Sequence, residues 1–329
     1  MVRLLLLLTM LIAFPAQAGE LKADEYVRFI PGIAYDANVD TIEAEVNAFV
    51  YEQESRPLVT LALHVLLDID TEELAPQQKQ TLAERSALFR VDFEGDKTFA
   101  VRFADGSVHA MPETHDGKSA RRVRLKKPAP PQKEIRFAVD QPRFPENVES
   151  GLAFYAAPEG ISVILDIDDT LKDSNVLDRK ALLRNTFLNE YQAVAGIEGV
   201  LGRLREKADA FHYVSASPIQ LYPALRNFFA RENFPRGSFH LRETTDLRDF
   251  IPDREKLRAH KRQAIKRLLA AYPQRKFILV GDTGESDPEI YAEFKREYPD
   301  RVLEAIFHDI TQEGRDSARF KDFTDLLLY

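Results

Sequence analysis

The sequence predicts an α/β fold in which a doubly wound, mostly parallel sheet fills the C-terminal half behind a smaller mostly-β domain. Three observations carry that expectation. From Ile161 onward, short apolar runs alternate with helix-length stretches, the rhythm of βαβ units. Before Ile161, strand-like pieces dominate and nothing repeats at a fixed period. Between the two, Pro128, Pro130, Pro131, Pro142 and Pro145 punctuate the chain and place a boundary near residue 150. The division is then 1–18, 19–150 and 151–329.

The first 18 residues carry one positive charge at Arg3, an apolar stretch of roughly eleven residues and the small-residue site Ala16-Gln17-Ala18. A membrane anchor needs about twenty apolar residues. Pro15, Gln17 and Glu20 end this run too early, so it reads as a signal peptide cleaved after Ala18. Export, to the periplasm, is the expected localisation. The 329 residues are 44% apolar and 10% aromatic, enough for real cores. No cysteine is present, which excludes disulfides, thiol nucleophiles, thiolate metal sites and a lipid-modified cysteine. A net charge of −8 gives no support for a nucleic-acid partner.

In the first half, Thr41–Tyr51 alternates in part as a half-buried strand does, and Leu58–Leu67 predicts a helix that continues irregularly through 72–85. Ala87–Phe103 predicts a hairpin turning at Glu94-Gly95-Asp96. Arg121–Lys126 and Glu134–Val139 predict two more strands, and a sandwich is the economical arrangement. In the second half, strands are expected at 161–165, 210–214, 276–280 and 302–307. Helices are expected around 177–193, 220–232, 255–271 and 289–298.

The chemistry concentrates at strand ends. Ile161-Ser-Val-Ile-Leu165 runs into Asp166-Ile-Asp168-Asp-Thr170, and ligands of parallel sheets bind beyond the carboxyl ends of the strands. Phosphoryl transfer through an aspartate needs an attacking carboxylate, an acid for the leaving alkoxide, a cation and a metal. Asp166 is the candidate nucleophile, Asp168 the acid that later serves as base, and Thr170 an anchor of the loop at the substrate. Ser215, at the end of the 210–214 strand, offers a hydroxyl to phosphate, and Ser217 is a possible helix cap. Lys261, near the start of its helix, balances the charge of nucleophile and substrate. The 276–280 strand delivers Gly281-Asp282-Thr-Gly-Glu-Ser-Asp287. Clustered carboxylates repel unless a hard cation joins them, so Asp166, Asp168, Asp282 and Asp287 are candidate ligands of Mg²⁺.

Asp166-Ile-Asp168-Asp-Thr170, Ser215, Lys261 and Gly281-Asp282 through Asp287 stand in the order of the four motifs of the haloacid dehalogenase superfamily, which this half resembles. Aspartate at position 168 is similar to the phosphatases of that superfamily. The wording of Phe211–Pro223, Phe239-His-Leu-Arg242 and Phe277–Tyr291 further resembles the catalytic domain of the actin-patch-protein type phosphatidate phosphatases, over roughly 150–325. The resemblance implies a haloacid dehalogenase-like fold and Mg²⁺-dependent release of phosphate from phosphatidate. Between Thr170 and Ser215, and between Ser217 and Lys261, there is room for about one helix and short loops, so no large cap is expected. An open site of that kind suits a lipid or another bulky phosphate monoester.

Other features read as structural. Leu66-Leu-Asp68-Ile-Asp70 repeats half of the first motif but has Glu72 where threonine would stand, and is expected to end a helix. His212, His240 and His260 match no metal-ligand spacing and are expected to bond locally. The basic run Arg121–Lys127 suits either the polar edge of a strand or peripheral contact with anionic lipid, the edge being the simpler reading. The expected function is an exported phosphomonoesterase acting on phosphatidate or a related lipid phosphate. Alternatives are a phosphatase of soluble or polymeric phosphoesters and a lipid-binding or scaffolding protein with a relict site. Nothing in the sequence fixes an oligomeric state.

Overall fold

A computed structural model describes residues 19–70, 72–128, 132–243, 254–323 and 326–329; the expected signal segment, Pro130 and Pro131 lie outside them. The first half begins with β1 (Glu25–Ile30), β2 (Gly32–Asp36) and β3 (Thr41–Gln53), followed by α1 (Pro57–Leu67) and α2 (Pro76–Ala87). It continues through β4 (Val91–Phe93), β5 (Ala100–Phe103), β6 (Val108–Ala110), β7 (Lys118–Lys126), β8 (Glu134–Val139) and β9 (Gly151–Tyr155). The 13-residue β3 organises this half, because it is long enough for β1 and β2 to pair along one edge and β7 and β4 along the other. The nine strands form one mixed sheet, in place of the expected sandwich of two. Val46 and Val50 of β3 nevertheless share a core with Val101 of β5 and Phe137 of β8, so the two ends of the sheet face each other.

The expected 87–103 hairpin does not form. β4 pairs with the end of β3, and β5 pairs with β6 and β8. The tight turn lies instead at Asp105-Gly106-Ser107, where Gly106 takes φ 86° and Phe103 N donates to Ser107 O at 2.9 Å. Glycine adopts that left-handed conformation without a Cβ clash. The irregular continuation beyond α1 is a separate helix, α2, with Pro76 in its first turn. Asp68 ends α1 as expected, in the left-handed conformation with φ 49°, and its exposed carboxylate pairs with Lys180.

The second half runs β10 (Ile161–Leu165), α3 (Arg179–Phe187), α4 (Ile197–Lys207), β11 (Ala210–Pro218), α5 (Tyr222–Arg231) and β12 (Ser238–Arg242). After these come α6 (Arg254–Ala271), β13 (Lys276–Asp282), α7 (Asp287–Glu297), β14 (Val302–His308) and β15 (Leu326–Leu328). All pairs are parallel, in the order β12-β11-β10-β13-β14-β15. The chain therefore reverses its winding between β10 and β13, where a doubly wound sheet opens a crevice. Two helices, not one, fill the span from Thr170 to Ser215. Gly199 and Gly202 weaken the local helical signal of α4. The start of α3 is set by Asp178, whose side chain accepts from Lys180 N and Ala181 N at 2.9 and 3.1 Å.

The halves are not independent. The expected division at residue 150 falls just before β9, which pairs within the first sheet. Leu63 and Leu67 of α1 and Leu82 of α2 join the core that covers one face of the parallel sheet, and Ile33 of β2 joins the core on the other. Arg85 of α2 stacks 3.8 Å over Tyr191 and donates to Asn185 O and Thr186 O at 3.2 and 2.5 Å.

The histidines pack as expected. His212 lies 2.8 Å from Ser238 Oγ and 3.3 Å from Ser162 Oγ, and Ser162 also accepts from the fully buried Arg275. Burial, with a further push from Arg275, lowers His212 to about 3. A folded value below the unfolded 6.5 favours the neutral ring. Its contribution to stability is therefore complete above that value and drains away as the pH falls toward 3, by about 1.4 kcal/mol per pH unit. In urea unfolding from about pH 6.5 down to about pH 4, the stability gap between the natural protein and His212→Asn should narrow at that rate. A gap independent of pH would contradict this reading.

Candidate active site

The site lies where the β10, β11 and β13 strands end, at the switch point. β10 leaves the sheet at Asp166, whose N–H still donates to Val280 O at 2.9 Å. The chain then folds back on itself. Asp169, with φ 53°, accepts backbone N–H groups from Ser174, Asn175 and Val176 at 2.6 to 2.7 Å. That carboxylate fixes the turn and turns the flanking Asp166 and Asp168 toward different partners.

Asp166 is buried beside Lys261, with Asp166 Oδ1 3.0 Å from Lys261 Nζ but outside hydrogen-bond geometry. The same ammonium reaches Asp287 Oδ1 at 2.7 Å and Glu285 Oε2 at 2.8 Å. Asp282 stands beside them and spends Oδ1 on Gly284 N and Glu285 N at 2.7 and 2.9 Å. Four carboxylates thus crowd one buried cation. Burial is the largest push on Asp166, Asp282 and Asp287, and raises all three above the ordinary carboxylate range. Neighbouring acids add to it and Lys261 opposes it. Burial works against the Lys261 ammonium, yet the surrounding carboxylates hold it firmly protonated.

Asp168 sits in the opposite environment. Lys172 Nζ and Ser174 Oγ each lie 2.7 Å from its Oδ1, while Ser217 Oγ and Ser215 Oγ approach Oδ2 at 2.7 and 3.3 Å. Burial pushes this carboxyl up, but the charge and hydrogen bond of Lys172 and the hydroxyls outweigh it and hold it at about 2. Ser215 also accepts from Ser217 N at 2.9 Å. Ser217 is therefore a partner of Asp168 rather than a helix cap, since α5 begins only at Tyr222. Thr170 is buried away from the cavity, and its hydroxyl faces Asp166 Oδ2 at 3.4 Å.

Among the described residues, Asp166, Asp282 and Glu285 each bring an oxygen within 4.8 Å of the other two. Asp166 Oδ1 and Asp282 Oδ2 are buried with no hydrogen-bond partner, and an unpaired buried carboxylate oxygen is costly. All-oxygen donors with two orphaned lone-pair sites fit a hard divalent cation. Of the four ligands expected from sequence, Asp166 and Asp282 join this trio. Asp168 turns to Lys172, and Asp287 to Lys261 and the Asp282 N–H. Glu285 takes the open place; it lies inside the Gly281–Asp287 stretch but nothing local distinguishes it. Arg319, from a short 3-10 turn at Ala318–Phe320, pins the same loop by donating to Thr283 O and Glu285 O at 2.7 and 2.9 Å.

A cavity of about 150 Å³ opens on Asp166, Asp168, Ser215, Ser217 and Glu285. One wall is apolar, with Val176, Leu182, Leu183, Pro218, Leu221 and Leu257, while Arg179 and Arg242 supply positive charge. Arg242 also donates from Nε to Ala216 O at 3.1 Å, which ties the end of β12 to the serine loop. Gly281 has no room for a side chain, because a Cβ there would come within 2.3 Å of Asp287 Oδ2.

Replacing Lys261 with Met leaves the buried acids without their cation and should destabilise the protein by about 3 to 5 kcal/mol in urea unfolding. An unchanged midpoint would contradict the electrostatic reading. Adding Mg²⁺ should raise the melting temperature of the natural protein and of Asp168→Asn, but not of Asp282→Asn. Equal shifts in all three would place any cation elsewhere.

Residues 161–309 match the family model for the catalytic domain of phosphatidate phosphatase APP1. The chain is 36% identical over 156 residues to phosphatidate phosphatase APP1 of Saccharomyces cerevisiae, which covers 46% of this chain and 26% of the yeast protein. It is 35% identical over 158 residues to an uncharacterized Schizosaccharomyces pombe protein, covering 47% of this chain and 26% of that one. The chain thus spans about a quarter of the length of these relatives. Both the family match and the motifs fall on the parallel-sheet half, where residues 161–309 are similar to the catalytic domain of phosphatidate phosphatase APP1.

Proposed function

We propose that the protein is an exported, Mg²⁺-dependent phosphomonoesterase that hydrolyses phosphatidate or a closely related lipid phosphate through an aspartyl-phosphate on Asp166. The observation that carries this reading is the meeting of two differently tuned carboxylates in one cavity. Asp166 stands against a protonated lysine, and Asp168 is held ionised by Lys172 and three hydroxyls. The relatedness of the domain to phosphatidate phosphatase APP1 supports the substrate class, as does the apolar wall beside the carboxylates. Export rests on the apolar segment and Ala16-Gln17-Ala18 at the start of the chain.

In this mechanism Asp166 attacks phosphorus and the P–O bond to the alkoxide breaks. Lys261 steadies the ionised nucleophile, whose burial otherwise favours its protonated form. Asp168 protonates the leaving oxygen, then takes a proton from the water that attacks the phosphoenzyme. Its low resting value suits the second task and works against the first. A phosphate settling against the Ser215 and Ser217 hydroxyls brings negative charge beside Asp168 and draws its protonation upward, which prepares the first. Asp166, Asp282 and Glu285 would hold Mg²⁺, which supplies charge neutralisation to the phosphate oxygens when bound.

The test is phosphate release by the mature protein with Mg²⁺ from phosphatidate micelles and from a panel of soluble phosphate monoesters. Phosphatidate should be hydrolysed, Asp166→Asn should be inactive, and Asp168→Asn should lose about 10²- to 10⁴-fold in kcat. Full activity in Asp166→Asn would overturn the mechanism. Hydrolysis confined to soluble substrates would remove the lipid assignment and leave the mechanism standing.

A further inference from the structure

Helix α1 is apolar on both sides, and only one side is covered. Its 11 residues, Pro57–Leu67, include no Asp, Glu, Lys or Arg. Val59, Leu63 and Leu67 pack into the core of the parallel sheet beside Leu183 and Phe187 of α3. Leu61 and Val65, one turn apart on the other side, are 58% and 72% exposed. A helix apolar all round is ordinarily buried all round, and clustered exposed apolar side chains mark surfaces that meet a partner or a membrane. Crossing a bilayer takes about twenty apolar residues, so α1 can lie on one but not span it.

This apolar stripe leads to the mouth of the catalytic cavity. Asp68 continues the line of Leu61 and Val65 and pairs at 2.7 Å with Lys180, in the first turn of α3. Leu177, 57% exposed, lies in the stretch from Val176 to Arg179, both ends of which line that cavity. Three of the six large apolar side chains exposed among the described residues thus gather beside the site. The cavity, of about 150 Å³, is well below the roughly 300 Å³ at which sites begin to enclose a drug-sized ligand. It has room for a phosphate headgroup and none for two acyl chains. On the lipid reading proposed above, on which this inference rests, the chains stay outside in the lipid phase and the mouth has to meet a lipid surface.

We propose that the face made by Leu61 and Val65 of α1 and by Leu177 at the approach to α3 docks on the surface of a lipid bilayer. These side chains enter the boundary below the headgroups while the headgroup of a substrate lipid enters the catalytic cavity. Exposed charges of both signs surround the face, Asp68 and Asp70 at the end of α1 and Arg179 and Lys180 at the start of α3. Contact is therefore made through the apolar side chains rather than through attraction to anionic headgroups.

The test floats the mature full-length protein, without divalent cation, with phosphatidylcholine vesicles that contain phosphatidate. The natural protein should float, and should still float in about 1 M salt, where exposed charges are screened beyond about 3 Å. Vesicle affinity should fall about tenfold or more in the double variant Leu61→Gln, Val65→Gln, and should fall in Leu177→Gln. All three side chains are exposed, so the variants should keep the natural melting temperature. With Mg²⁺, the variants should lose hydrolysis of vesicle-borne phosphatidate in the same proportion and keep that of soluble phosphate monoesters. No flotation of the natural protein, flotation lost in salt, equal flotation of the variants, or a lipid-free dimer that the double variant dissociates would each overturn the proposal. Flotation requires no turnover, so its failure is read apart from failure of the lipid reading, which would show as no phosphate release from micellar phosphatidate.

Discussion

Everything at the catalytic end of the sheet is arranged around one electrostatic constraint, the crowding of Asp166, Asp282, Glu285 and Asp287 about the single ammonium of Lys261. Four acids against one cation cannot all be ionised in a buried space without help. The imbalance shows as raised proton affinities and as two oxygens with no hydrogen-bond partner. Such a cluster is unfavourable as a scaffold, and its unsatisfied carboxylate oxygens fit a divalent cation. Asp168 stands outside the crowd, with its own lysine and its own hydroxyls. The separation lets two aspartates two residues apart carry opposite proton affinities.

The fold is what makes so crowded a site tolerable. Asp166 and Asp282 stand at the ends of central parallel strands, Glu285 and Asp287 follow in the loop and at the start of α7, and the loops that carry them are pinned from several directions. Asp169 gathers three backbone N–H groups, Arg319 clamps the Thr283–Glu285 loop, and the missing Cβ of Gly281 admits Asp287. The first half contributes rigidity as well. Helices α1 and α2 complete one face of the parallel sheet, and Arg85 fastens α2 to the end of α3, near the apolar wall of the catalytic cavity.

Much of this was legible in the amino-acid sequence, and the failures have physical reasons. The β10 and β13 strands and the placement of Asp166, Asp168, Ser215 and Asp282 at or just past strand ends could be read directly, because buried parallel strands are short continuous apolar runs. Helix α4 was missed because its glycines dilute the helical signal. Strand β12 was missed because Ser238-Phe-His-Leu-Arg242 buries polar side chains through pairings made elsewhere in the fold, such as His240 with Arg267. The hairpin around residue 95 failed because turn chemistry at Gly106 was the stronger signal. Roles that depend on long-range neighbours were not readable. Asp287, expected as a ligand, is engaged by Lys261 and the Asp282 N–H while Glu285 joins Asp166 and Asp282, and Lys172 gains importance only once its chain folds back on Asp168.

The central claim is that this geometry makes Asp166 the group that receives phosphate. Chemical trapping addresses it directly: acid-quench the Asp168→Asn protein during reaction with phosphatidate and Mg²⁺, reduce with borohydride, and map the peptides by mass spectrometry. An acyl phosphate at Asp166 would be reduced to homoserine at that position, and the account predicts that residue and no other. Reduction at a different carboxylate, or none while substrate is being consumed, would contradict it.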